Sequence, residues 1–241
     1  MARAAGYWME FQGISSATLG VKVVSAATHI EGAQRGDSLE AVGRDGDLWQ
    51  GEDARSTTEL VIRLRVPRSK LDSAMAWLSG SGALRFSYDP YKAYDARIVD
   101  EIEFQALIPG SDPIYECEVR FICQPYRRMY PEASAITITE SGTALVTQGN
   151  APALPRVKIT GSGDFSVTIG MKTMFFTEIT DGVIVDCELM DAFTLDGASL
   201  LTDHVSEEYF VIEPQQTIVS WLVESGGLVT SVEITPRWRW L

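Results

Sequence analysis

Five carboxylates crowd one stretch of the second half of this chain: Asp181, Asp186, Glu188, Asp191 and Asp196. Two of them at the right separation would make a glycoside-hydrolysing acid and nucleophile, and several together would make an oxygen cage for calcium. Neither separation is fixed by sequence, and no calcium loop of the EF-hand pattern is present. The five are therefore read as solvated strand ends and turns. Nucleophilic catalysis has less support. There is no Gly-x-Ser-x-Gly elbow, and His29 and His204 have no triad context. Gly161-Ser162-Gly163-Asp164 leads into a strand pattern rather than a helix, so it reads as a turn and not a phosphate loop. Cys117, Cys123 and Cys187 offer no Cys-x-x-Cys pair, and with only two histidines no zinc constellation forms. They read as small buried hydrophobes, not as a disulfide framework. The expectation is a protein without catalytic centre, cofactor or metal.

Aromatic residues give a second kind of candidate. Trp238 and Trp240 fall on one side of a final strand, with Arg237 and Arg239 on the other. Exposed indoles stack on sugar rings, which makes Trp221 and Trp238 the candidate glycan contacts. Core aromatics of a sandwich fit the same pattern and are the favoured reading. Trp77 reads as core. Trp49 is open between an ordinary position and a subunit contact, where Trp is enriched. It follows Asp45-Gly46, a turn signal in which both central residues want a positive φ.

The elements that would position these residues are mostly strands. In Glu59–Val66, Leu60, Ile62, Leu64 and Val66 share one face, with Arg63 and Arg65 opposite. Tyr115, Cys117, Val119, Phe121 and Cys123 form a second such stripe, with Glu116, Glu118 and Arg120 opposite. Further strands are expected at Leu84–Tyr88 and Ala96–Phe104. Ser69–Ser79 reads as the one helix: Ser69 and Asp72 resemble a capping box, Leu71, Ala74, Met75 and Leu78 make one stripe, and Gly80 closes it. Asp37–Thr57, polar and Gly-rich, fits a protruding hairpin or arm. Pro125, Pro131 and Ala133-Ser134-Ala135 mark a boundary. Beyond it only strands are expected: Ile136–Ile138, Val157–Ile159, Phe165–Ile169, Val183–Cys187, Thr217–Trp221, Val229–Ile234 and Arg237–Trp240. Short strands at this spacing predict a jelly-roll sandwich.

Composition sets the outer bounds. The chain has 241 residues and a net charge of −13, which suits one large or two modest β domains and lacks the basic stripe of a duplex-binding protein. The charge is uneven. Residues 1–131 hold 15 basic and 18 acidic residues, net −3, whereas residues 132–241 hold 5 and 15, net −10. That asymmetry supports two domains with different surfaces. No apolar run reaches the roughly 18–20 residues a membrane helix needs. Met1–Phe11 has no continuous apolar stretch of the secretion-signal kind, so synthesis in a cytoplasm is expected.

Taken in order, several motifs resemble the distal tail protein family of siphophages, the long non-contractile-tailed bacteriophages. They are Phe11-Gln12-Gly13-Ile14-Ser15-Ser16 leading to Leu19-Gly20-Val21, the Gly43-Arg44-Asp45-Gly46 hairpin, and Trp77-Leu78-Ser79-Gly80 with Gly82-Ala83-Leu84. Tyr94-Asp95-Ala96-Arg97 and Cys123-Gln124-Pro125-Tyr126-Arg127 follow. In the second half come Gly149-Asn150-Ala151-Pro152-Ala153-Leu154-Pro155, Gly161-Ser162-Gly163, Asp181-Gly182 to Asp186, and Pro236-Arg237-Trp238-Arg239. The resemblance runs nearly end to end.

What it implies is a mainly β protein. A ring-forming, tail-tube-like domain with one helix would span residues 1–132, and a galectin-like or jelly-roll β-sandwich residues 133–241. The protein would be a structural component of the virion tail tip, assembled in the bacterial host cytoplasm. It would form a homohexameric ring, or two stacked rings, that joins the tail tube to the baseplate hub and leaves a channel for DNA. Its partners would be further copies of itself, the tail-tube protein, the tail-associated central hub protein and receptor-binding components. Genome DNA would pass without specific binding, and nothing would insert in a membrane. Gly43, Arg44, Asp45, Gly46 and Trp49 would contribute to the ring contact. The alternative is a carbohydrate-binding module for host-glycan adhesion, carried by Trp221 and Trp238.

Overall fold

The computed structural model describes residues 7–25, 31–40, 45–107, 110, 113–206, 208–224 and 226–241. It divides into two compact units, 1–130 with 241, and 131–240. Both are mainly β.

The first unit contains β1 (Met9–Phe11), β2 (Ile14–Ser15), α1 (Ser16–Leu19), β3 (Lys22–Val23), β4 (Gln34–Glu40), β5 (Asp47–Arg55) and β6 (Thr58–Pro67). After these come α2 (Leu71–Trp77), β7 (Ser81–Phe86), β8 (Asp89–Ile98), β9 (Gln105–Ala106) and β10 (Ile114–Met129). The main sheet runs β2-β1-β7-β8-β10-β6-β3, with β9 added to one end of β10. β6 and β10 form its centre and pair antiparallel from Ile114↔Pro67 to Cys123↔Thr58. The alternation read from sequence holds there: Leu60, Ile62, Leu64, Val66, Cys117, Val119, Phe121 and Cys123 are buried. Burying alternate apolar side chains of a strand removes one face of the sheet from water and leaves the other open. Phe11 meets Phe121 edge to face at 5.2 Å, and Trp77 closes the core, its Nε1–H donating to the Phe11 carbonyl at 3.0 Å.

The helix differs from expectation. A 3-10 turn, Arg68–Lys70, precedes α2, and the cap position is Lys70, with no side-chain cap bond. Pro67 is still extended (ψ 148) and the Arg68 amide is taken by the Pro113 carbonyl at 3.1 Å, so Ser69 falls inside the 3-10 turn and the helix proper is capped one residue later than the Ser69 capping box requires. The two-turn helix buries Ala74 and Trp77, Leu78 at its C-cap is buried as well, and Met75 faces solvent at 52% exposure. The strand expected through Phe104 stops at Ile98. Ile98 is the last residue of β8 opposite β10. The chain then crosses to β9, which pairs the other end of β10, and Ile102 and Phe104 pack on the core as it passes.

The second unit contains β11 (Ile136–Ile138), β12 (Thr143–Leu145), β13 (Arg156–Ile169), β14 (Lys172–Ile179) and β15 (Gly182–Asp186). It continues with β16 (Asp191–Phe193), β17 (Thr217–Val223), β18 (Leu228–Thr235) and β19 (Arg239–Trp240). The two strands expected at Val157 and Phe165 are one. Gly161-Ser162-Gly163-Asp164 is not a turn but the bend of β13. Arg156–Thr160 pairs with β15 and β18, and Phe165–Ile169 pairs with β14 and β17. Register shifts fall at Thr160/Gly161 and Gly163/Phe165. A strand that changes sheets through bulges is how a sandwich turns its corner. Glycine is required there: a Cβ on Gly161 would sit 2.3 Å from the Leu228 carbonyl oxygen, and Gly163 has φ +77. Val157, Ile159, Val167, Ile169, Phe176, Phe210, Val219, Val232 and Trp238 fill the core.

Candidate assembly surfaces

β4 and β5 pair only with one another, as a two-stranded ribbon separate from the main sheet, and all seven residues of β4 are exposed. Glu40 faces Asp47 in register, so the connection spans residues 41–46 and is longer than the two-residue turn that Asp45-Gly46 predicts. Gly46 has the expected positive φ, +74. Gly43 and Arg44 lie outside the described residues, and of Trp49 only the backbone, opposite Ser38, is described.

The open face of the β6–β10 pair carries a ladder of charges. Arg65 sits opposite Glu116 and Arg63 opposite Glu118. Arg65 Nε reaches Glu116 at 2.8 Å, and Arg63 is hydrogen-bonded to Glu118 and lies 3.8 Å from Glu116. Arg120 bonds Glu59 at 2.8 Å, one register step along the diagonal, and Asp100 at 3.3 Å. The hydrogen bond and charge of Glu118 push the Arg63 guanidinium further up from its ordinary range. Beside the ladder, Glu101, Glu103 and Gln105 line a groove with Arg63, Glu116 and Glu118. Sequence periodicity placed these side chains on one face. Their pairing follows from the antiparallel register, which the individual strands do not state.

In the second unit the acidic candidates separate. Asp186 is not solvated, and Glu188 is half-buried. Asp186 is buried at 6% exposure, held by Arg237, and Glu188 bonds Arg239 at 3.0 Å. A strand end becomes a buried ion-pair site because the C-terminal arginines fold back onto it. Asp181 is exposed, and Asp196 accepts from the Ala198 amide and the Thr194 hydroxyl in its own turn. Among the described residues no group of three or more His, Cys, Asp or Glu could hold a metal ion. His204 Nδ1 lies 3.0 Å from the Thr177 carbonyl, and His29 lies outside the described residues.

Trp238 is 2% exposed and offers no ring face to a sugar. Trp221 stands opposite the fully buried Val167 and so points to the core side of its sheet, half-buried. Arg237 adopts φ +50, which breaks the strand alternation expected for Arg237–Trp240. The three cysteines are free and buried, and burial pushes each thiol up to about 12.

No protein-family model matches the chain, and no curated protein matches it. Among solved structures it is similar to the crystal structure of Dit from phage SPP1, described as a paradigm of the hub adsorption apparatus in phages infecting Gram-positive bacteria. The TM-score is 0.72 at 15% identity, covering 98% of this chain and 100% of that one. The resemblance read from sequence to a distal tail protein thus holds for the fold along the full length.

Proposed function

We propose that this chain is a structural virion protein that closes into a hexameric ring at the distal end of a siphophage tail. The ring joins the tail tube to the baseplate or tip complex and leaves a channel for the genome. The observation that carries this reading is the end-to-end likeness to a phage hub protein, which spans both units rather than a single common β domain. The work is assembly, not catalysis, and needs no cofactor. Residues 1–132 would build the ring and residues 133–241 its sandwich periphery. A ring requires heterologous contacts, one patch meeting a different patch on the next copy. The β4–β5 ribbon, exposed along β4, supplies backbone donors and acceptors for strand addition to a neighbour, and Gly43, Arg44, Asp45, Gly46 and Trp49 would contribute to that contact. The other partners would be the tail-tube protein, the central hub protein and receptor-binding components.

Native mass spectrometry of the purified chain, with negative-stain images of the same sample, tests this. The expected result is a hexamer, single or stacked in pairs, with an open centre. A chain that stays monomeric both alone and with tail-tube protein added would overturn it.

A further inference from the structure

The sheet of β12, β17, β13 and β14 has one face in the core and one in water. Phe165, Val167, Ile169, Met174 and Val219 point inward and are buried. The residues between them point outward, and register lays them out in rows. Phe175, Ser166 and Leu222 form one row. Thr173, Thr168 and Ser220 form the next, where the Thr168 and Thr173 hydroxyls bond at 2.9 Å. At the far end Gly170 lies beside Ile218, its amide donating to that carbonyl at 3.0 Å. The outward column of β13 is therefore small: Ser166, Thr168, Gly170. Beside it β17 raises a ridge, Leu222 at 77% and Ile218 at 54% exposure, and Phe175 walls the other side at 58%. None of these residues is charged, although residues 132–241 carry a net −10.

We propose that this face is a contact between two copies of the chain, with β17 of each laid into the small column of β13 of the other. Charge narrows the occupant. A polyanion would meet the acidic surroundings, and a cationic partner would be drawn to the acids rather than to a neutral face. Two copies of a strongly acidic unit meet best through surfaces that carry no acid. The pattern is also self-complementary. Leu222 and Ile218 are four residues apart on β17, and Ser166 and Gly170 four apart on β13, so ridge and column share one repeat of about 13 Å. A two-fold axis running between these strands, and along them, exchanges β13 with β17. It seats Leu222 over Ser166 and Ile218 over Gly170 of the other copy, reciprocally, and sets Ser220 against Thr168. Such an isologous contact takes the ridge out of water at the aligned strand angle of packed sheets. A face of three strands by three rows is small, of the weak class below about 1,200 Å² in total, so affinity in the micromolar range is expected. The axis also brings Asp164 and Glu224, exposed just beyond Ser166 and Leu222, to the same end in both copies. Added salt screens that repulsion and strengthens the contact. The contact is independent of the β4–β5 ribbon and of the ring reading.

Sedimentation velocity of the full chain, from about 1 µM to about 200 µM, tests this. The variant Ile218→Thr/Leu222→Thr, at two exposed sites, should keep the parent's circular dichroism and lose the contact. At the top of the series the parent's mass should reach twice that of this variant, whether the unit that doubles is a single chain or a ring. The parent's midpoint should fall as NaCl rises from about 0.05 M to about 0.5 M. Ser166→Leu fills the column while making the face more apolar. It should also abolish the doubling, whereas an unspecific apolar patch would associate more tightly. Leu189→Thr, exposed at a hairpin tip elsewhere in the unit, should double like the parent. The proposal is overturned by a parent that does not double, by doubling that survives in the Thr variant, or by tighter association of Ser166→Leu. Loss of doubling in Leu189→Thr, or a contact that weakens with salt, overturns it as well. A hexameric ring that does not pair defeats this contact alone, and paired single chains defeat the ring alone.

Discussion

Arg237 grips Asp186 through both terminal nitrogens, at 2.7 and 2.8 Å, across 51 residues of chain. Asp186 Oδ1 also accepts the amides of Glu188 and Leu189, at 3.1 and 3.3 Å. The carboxylate ends β15, and the arginine lies just beyond β18. A bidentate, charge-assisted pair of this kind fixes direction as well as distance, so it pins the C-terminal segment against β15 within the sandwich.

Removing one partner should therefore be costly. Asp186→Ala leaves a guanidinium that is only 16% exposed without its bidentate partner, with Glu188 at 3.4 Å and Glu132 at 3.6 Å remaining, and a loss of roughly 1–3 kcal/mol is expected. Urea unfolding followed by tryptophan fluorescence measures it. The double variant Asp186→Leu/Arg237→Met should recover part of that loss, since the half-buried guanidinium no longer has to be held without its bidentate carboxylate, and Glu188 keeps Arg239.

The same pair predicts an acid limb. Burial by itself would raise the Asp186 carboxyl. The Arg237 hydrogen bonds and charge outweigh it and hold the group below its ordinary 3.8. A depressed folded-state value means that the stabilisation is fully present above the unfolded carboxylate value and is lost as pH falls through the lower folded one. Urea midpoints of the parent should drop below about pH 4. Asp186→Asn should start lower and lose less over that range. Identical slopes in the two proteins would show that other carboxylates carry the acid response.

At the bend of β13, Gly161→Ala would place a methyl 2.3 Å from the Leu228 carbonyl oxygen. Backbone, unlike a flexible side chain, cannot swing aside. A destabilisation of about 1–3 kcal/mol or more is expected from such overpacking, visible as a lowered melting temperature.

Gly46→Val probes the ribbon without touching a core. A Cβ there meets nothing within 4 Å, yet the φ of +74 strains any β-branched residue. The expected cost is about 1–2 kcal/mol, paid locally in the loop. Circular dichroism should remain that of the parent, whereas the hexamer fraction in native mass spectrometry should fall. Rings formed as readily as by the parent would show that the arm is not an essential contact.

The three cysteines should resist a thiol reagent at pH 8 in the folded protein and react once urea unfolds it. They are buried, and their thiols are pushed up to about 12, so little nucleophilic thiolate is present or reachable. Rapid labelling of the native chain would contradict that burial.

What the sequence determined by itself was whatever repeats over a few residues. The period-2 stripes of Glu59–Val66 and Tyr115–Cys123 named the core of the first unit, because alternation sends every second side chain to one face whatever the strand pairs with. Trp77 declared its place through the short helical stripe around it, and the separate ribbon could be read from a polar, Gly-rich stretch that no core would accept. Tertiary structure alone decided features that depend on distant partners. Gly161-Ser162-Gly163-Asp164 has turn chemistry, yet pairing of the flanking residues with four other strands carries it through as the bend of β13. Asp45-Gly46 signals a tight turn, but the Glu40↔Asp47 register sets the loop length. Asp186 reads as one more surface acid until Arg237 arrives from 51 residues away. Trp221 and Trp238 face the core because the strands they follow or belong to are paired as they are. The arginine–carboxylate ladder has the same origin: each strand carries its charges on the open face, and only the register of β6 against β10 brings opposite signs together.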